Sequence, residues 1–286
     1  MKQDLDFTFL FTNNKLRIGI TWFLVLIENL LIALIPLFIG RAIDALLQQR
    51  ADALLETAVV MFVLVIVAVI RRLYDTRIYG TMRVNFGAEL VKRKRAQPVS
   101  QVNARLDMSR EIVDFLEEHV PELLTAIMQL VVSIVILWTY QVQLGIGALA
   151  LLLAMGLLYL LFHQRFFKLN SSLNAQKEQQ VDVLELRSSR PVLAHLRRLR
   201  RAEVKLSDTE AILYGLLFLL MFSFVLFSLV TAAQIDAVTA GAIFTILSYS
   251  WEFVESSIAL PASLQQWTRL AEIRQRLNSE TVASPS

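Results

Sequence analysis

The sequence predicts an all-α membrane protein: six transmembrane helices joined by two long helical loops on one side. Three observations predict it. Of the 286 residues 56% are hydrophobic, six stretches reach the roughly 20 apolar residues a bilayer requires, and the connections between them alternate between short and long. That apolar excess excludes a disordered chain and an ordinary soluble domain. Without Cys, disulfide scaffolds, thiolate metal sites and thiol catalysis are excluded as well.

The first span, 18–43, reads ITWFLVLIENLLIALIPLFIG and has no polar stripe. It is too long for a signal-peptide core and ends without a small-residue cleavage site, so it is a retained helix. The second span, 54–78, is followed by good helix formers interrupted by one Pro. Helix two therefore continues past the bilayer, turns at Pro98 to Asn103 and returns as the third span, 112–138. The fourth span, 142–163, begins almost at once and continues into the second long loop. That loop breaks near Ser188 to Pro191 and is capped at Ser207 or Asp208 ahead of the fifth span, 211–233. A short link leads to the sixth span, 238–262. Residues 1–278 make one domain and 279–286 a polar tail. Pro36 and Pro261 each remove a backbone hydrogen bond and predict kinks in spans one and six.

The basic residues decide orientation. The long loops carry Arg83, Lys92 to Arg95, Arg105, Arg110 and then Arg165 through Lys205, whereas the short loops carry only Arg50, with Arg41 at a helix end. The positive-inside rule places both long loops and both termini in the cytoplasm, with the chain in a cell (inner) membrane. A net charge of +3 is too small to argue for nucleic acid, and the basic runs read as topology signals that also touch anionic lipid.

Ionisable groups inside a span cost roughly 2.5–3.5 kcal/mol on insertion scales, so they are candidates for function. Glu28 lies about midway along span one beside Asn29, and Glu252 and Glu255 lie near the middle of span six. A spacing of three puts those two carboxylates on one face. In a low dielectric they repel, and a proton shared between them relieves the repulsion, the chemistry a proton-coupled carrier requires. The alternative is that they hydrogen-bond to Ser248, Ser256, Ser257 or Gln265, or face a wet vestibule. Tyr249, Trp251 and Phe253 alternate around the helix and cannot share a face. Their main role is core or lipid contact; with one or two of them, Tyr249 or Trp251, lining it, a carboxylate-bearing cavity suits cationic or amphipathic solutes. His119, His163 and His195 are too scattered for a metal site. No nucleophile motif appears, so neither metal, cofactor nor catalytic residue is expected.

Three stretches carry a family resemblance. LIPLFIGRAIDALL, with its Pro, Gly-Arg and acidic residue, resembles the end of the first helix in the membrane domain of ABC exporters. YGTMRVNFGAELVKRKRAQPVSQVNARLDMSREIVDFLEEHVPELL resembles that family's first intracellular loop. TAGAIFTILSYSWEFVESSIALPASLQQWTRLAEIRQRLN resembles its closing helix and connector, and the likeness spans about 15–278. The resemblance implies a domain-swapped homodimer working by alternating access. It also implies that Arg105, Asp107 and Arg110 in one loop, and Arg187 and Arg190 in the other, form a cytoplasmic gate or the dock for an ATPase.

No Gly is followed by Lys, so the phosphate-cradling loop of such an ATPase is missing before the chain stops at Ser286, and this chain is not expected to hydrolyse ATP. The plan is similar to that of SbmA/BacA-type peptide transporters, which lack an ATPase. Three readings compete: a gradient-driven homodimeric transporter, a transporter powered by a separate ATPase subunit, and a membrane scaffold or regulator. Charge inside spans argues against the last.

Overall fold

The computed structural model describes residues 7–93, 98–185 and 188–278; Arg187 and the tail 279–286 lie outside the described residues. Eight α-helices follow one another: α1 Phe7–Leu47, α2 Asp52–Arg93, α3 Val99–Asp114, α4 Val120–Tyr140, α5 Val142–Glu178, α6 Gln180–Glu185, α7 Ser189–Ala233 and α8 Ala240–Asn278. A π-helical turn, Phe115–His119, links α3 to α4. The described residues contain no strand, and the chain belongs to the all-α class.

Five helices are long and apolar enough to cross a membrane: Asn14–Leu47, Asp52–Lys92, Arg105–Tyr140, Val142–Glu185 and Ser189–Ala233. These hold the first five expected spans. The sixth lies on α8, which is not among the five. Between Ala240 and Ala259 it bears Glu252, Glu255, Thr245, Ser248, Ser250, Ser256 and Ser257.

The chain forms two compact units within the single domain expected over 1–278. One comprises Met1–Tyr140 with Ala232–Ser286; the other is Gln141–Thr231. In the first unit α1 packs on α2, α4 and α8, α4 packs on α8, and α2 packs on α3. Tyr79, Met82, Phe86 and Leu90 recur every three or four residues along α2, and this stripe meets Ile112, Val113, Phe115 and Leu116 in a buried cluster. The first long loop is thus a helical hairpin whose core is shared with Ile18 and Trp22 of α1 and Val120 of α4. Elsewhere α2 exposes Leu55, Val59, Phe62, Val65, Ile66, Val69 and Ile70, a band suited to acyl chains.

The short turns between helices are built by specific residues. Gln49 takes a left-handed conformation (φ 59°), and the Arg50 N–H bonds back to the Ala45 carbonyl at 2.8 Å, ending α1. Where α1 crosses α8, Gly40 and Gly241 bring the two backbones together. A Cβ on Gly40 would lie 2.6 Å from the Gly241 carbonyl oxygen. Asp44 accepts from the Gly241 N–H at 2.8 Å and from the Thr239 hydroxyl at 2.6 Å, while Thr239 Oγ1 accepts from the Ala242 N–H at 3.1 Å. The acid of the GRAID segment therefore caps α8, where helix amides lack partners and the dipole favours a negative charge.

In the second unit, buried residues form stripes at helical spacing, Leu144, Ala148, Leu151 and Met155 on α5 and Leu213, Leu217, Met221 and Phe224 on α7. Gly147 of α5 lies under the Phe227 ring of α7, whose atoms would be 2.7 Å from an added Cβ.

Two expectations are corrected. The turn between α2 and α3 ends at Pro98, and residues 99–103 are helical, because Pro98 is extended (φ −55°, ψ 143°) and good helix formers follow it. No cap forms at Ser207 or Asp208: α7 runs unbroken from Ser189 to Ala233, with no Gly or Pro near 207 to stop it. Pro36 lies within helical backbone, and the non-helical dihedral angles in α1 are at Asn14 (φ −130°, ψ 20°).

Candidate functional site

The α8 carboxylates stand on a distinct face. Trp251, Glu255 and Ala259 are exposed at intervals of four, and half-buried Ser248 and Glu252 lie beside them. Counting 1.5 Å per residue from Ala240, Glu252 lies about 18 Å along the helix. Glu252 Oε2 is enclosed and has no hydrogen-bond partner. The serines are engaged elsewhere: Ser256 Oγ donates to Gln129 Oε1 of α4 at 3.2 Å, and Ser257 Oγ donates to the Phe253 carbonyl at 2.7 Å. This stripe presents two carboxylates and an indole on a face that the rest of its unit leaves uncovered.

The aromatics divide differently from the sequence expectation. Tyr249 and Phe253, four apart, share the buried face at 0% exposure, and Trp251 is on the opposite one. Tyr249 Oη–H donates to the Ala33 carbonyl of α1 at 2.6 Å, so this residue, expected on the pathway, bonds α8 to α1 instead.

Glu28 is not a free carboxylate. Arg71 of α2 binds it through Nε and Nη2, and Arg71 Nη1 donates to Asp75 Oδ2 at 3.0 Å. Asn29 is buried, its Nδ2 donating to the Val25 carbonyl one turn back at 2.8 Å. Arg71 and Asp75 escaped the sequence reading; the available signal was the four-residue spacing of Arg71, Asp75, Tyr79 and Arg83.

The hairpin of α2 and α3 carries part of the expected gate. Asp107 and Arg110 are exposed and Arg105 is buried; Arg190, at the start of α7, is exposed. Arg83 braces the hairpin by donating to Asp114 at 2.6 Å and to Glu117 in the π-turn. Between the helices lies a cavity of about 570 Å³ lined by Arg83, Gly87, Lys92, Leu106, Ser109 and Arg110, among others.

The chain thus combines five helices long and apolar enough to span a membrane, one of them carrying Glu28, with a braced polar hairpin. The family described as ABC transporter transmembrane region matches residues 9–241, most of the chain, and this protein belongs to that family. No curated protein matches it.

Proposed function

We propose that the chain moves a small or peptide-like, cationic or amphipathic solute across a cell (inner) membrane by alternating access, as a homodimer driven by a proton gradient. The observation that carries the reading is the α8 stripe. Glu252, with an enclosed and unpartnered oxygen, and Glu255, one turn on, stand with Trp251 on a face open to a second copy or to solute. Carboxylates within a span are costly unless they bind something, and a solute cation or a proton meets the need. The division into α1–α4 with α8 and α5–α7 supports a helix exchange between copies, and the termini and hairpins face the cytoplasm in this reading. In this reading the plan is similar to that of SbmA/BacA-type carriers.

Transport of a cationic dye or peptide into proteoliposomes holding only this chain tests the proposal. Flux that needs an imposed pH gradient and is lost in Glu252→Gln/Glu255→Gln supports it. Flux without a gradient, or flux untouched by the double variant, sinks it.

A second reading is favoured by the family itself and by the braced hairpin: Asp107, Arg110 and Arg190 dock a separate ATPase subunit. Co-purification of such a subunit, lost on Asp107→Lys/Arg110→Glu, would select that reading.

A further inference from the structure

A second polar assembly lies between α1 and α2, apart from the α8 stripe. Arg71, Asp75, Tyr79 and Arg83 follow at intervals of four along α2, a line about 18 Å long at 1.5 Å per residue. At one end Arg83 is held by Asp114 and Glu117, and at the other Arg71 is held by Glu28 and Asp75. Tyr79 stands between, within electrostatic reach of both Asp75 and Glu117. The line therefore connects the polar hairpin to the interior of spans one and two.

Its inner end is short of positive charge. Glu28 and Asp75 face a single guanidinium, and their side chains are only 12% and 3% exposed, so one negative charge is uncompensated where ions are expensive. Three oxygens converge beside it: Asp75 Oδ1, Thr21 Oγ1 from α1 and Tyr79 Oη. Their residues are 2%, 0% and 0% exposed, Thr21 lies between Asp75 and Tyr79 and interacts with both, and the Trp22 side chain lies beside Tyr79. A buried carboxylate beside a surplus negative charge, with hydroxyls at hand to accept and donate, is a place where a proton relieves the charge. A proton needs no coordination shell, and the hydroxyls supply the hydrogen bonds it would make.

We propose that Asp75, framed by Thr21 and Tyr79, is a proton-binding site. The proton goes to Asp75 Oδ1, the new O–H donates to Thr21 Oγ1, and Arg71 keeps Oδ2 and Glu28. This site requires a bound proton and no solute movement, so it stands or falls separately from the transport reading.

The test is infrared difference spectroscopy on the full chain in liposomes, recorded across a pH step in H₂O and D₂O. The expected result is a protonated-carboxyl C=O band that shifts in D₂O and is absent in Asp75→Asn. It shifts in Thr21→Val and in Tyr79→Phe and is unchanged in Glu252→Gln/Glu255→Gln. Survival of the band in Asp75→Asn overturns the proposal, as does a band that vanishes in the α8 double variant. If Asp75→Asn does not fold, a band unmoved by both Thr21→Val and Tyr79→Phe overturns it equally. A spectral change driven by Na⁺ at constant pH would assign the site to a metal cation and defeat the proton assignment.

Discussion

Arg71 holds two carboxylates that would otherwise be buried without a counter-charge. Removing one member of such a cluster costs more than removing all of it, about 3–5 kcal/mol for breaking a buried pair. Arg71→Met is therefore expected to lower the melting temperature of the detergent-purified chain sharply, whereas the triple variant that also carries Glu28→Gln and Asp75→Asn recovers most of the loss. A single variant that melts like the parent would show the cluster to be structurally idle. Sequence alone marked Glu28 as a costly group but not its partner. Arg71, Arg72 and Arg77 crowd one end of span two, and composition cannot say which of them turns inward. Tyr249 shows the opposite limit. An aromatic beside carboxylates looked like a cavity wall, and burial turned it into a hydrogen bond from α8 to α1.

At the scale of elements, the apolar runs made the first five spans legible, because twenty apolar residues have few alternatives to a membrane helix. The breaks were harder to read. Ser207, Asp208 and Pro36 are break or cap residues by propensity, yet each lies within continuous helix, since propensity is weak against long helical neighbours. The contact of α1 with α8 was visible only as a motif, Gly-Arg and an acid, and its physical meaning is the Gly40–Gly241 approach and the cap by Asp44. Two glycines of similar sequence context should then respond oppositely to Ala. Gly40→Ala drives a methyl into the Thr245 hydroxyl and the Gly241 carbonyl, and neither helix backbone can yield cheaply, so the melting temperature falls. Gly215→Ala meets nothing within 4 Å and removes a flexible residue from mid-helix, so it should be neutral or stabilising by up to about 1 kcal/mol. Asp44→Ala leaves the α8 amides uncapped and is expected to cost about 0.5–2 kcal/mol. Thermal melts of the three variants, read side by side, check the crossing: equal effects for Gly40 and Gly215 would refute it.

At the scale of the whole molecule, the alternation of loop length and the lopsided basic residues argue an orientation that packing cannot supply, because helix contacts are the same whichever way the bundle faces. The family match speaks to kind and leaves sidedness open. The chain contains no Cys, so single cysteines can report it without background. Arg50 lies exposed in the turn between α1 and α2, and Arg190 lies exposed at the start of α7. With the hairpins in the cytoplasm, Arg50→Cys in intact cells reacts with a membrane-impermeant maleimide, and Arg190→Cys reacts only after the membrane is opened. The reverse pattern would invert the protein and place the α2–α3 hairpin, with Arg83 and Glu117, on the outer face. Labelling of both in intact cells would mean that one of these segments does not cross as the five apolar helices require. The experiment therefore decides which side of the membrane the α2–α3 hairpin faces, and with it which direction of gradient the transport proposal would need.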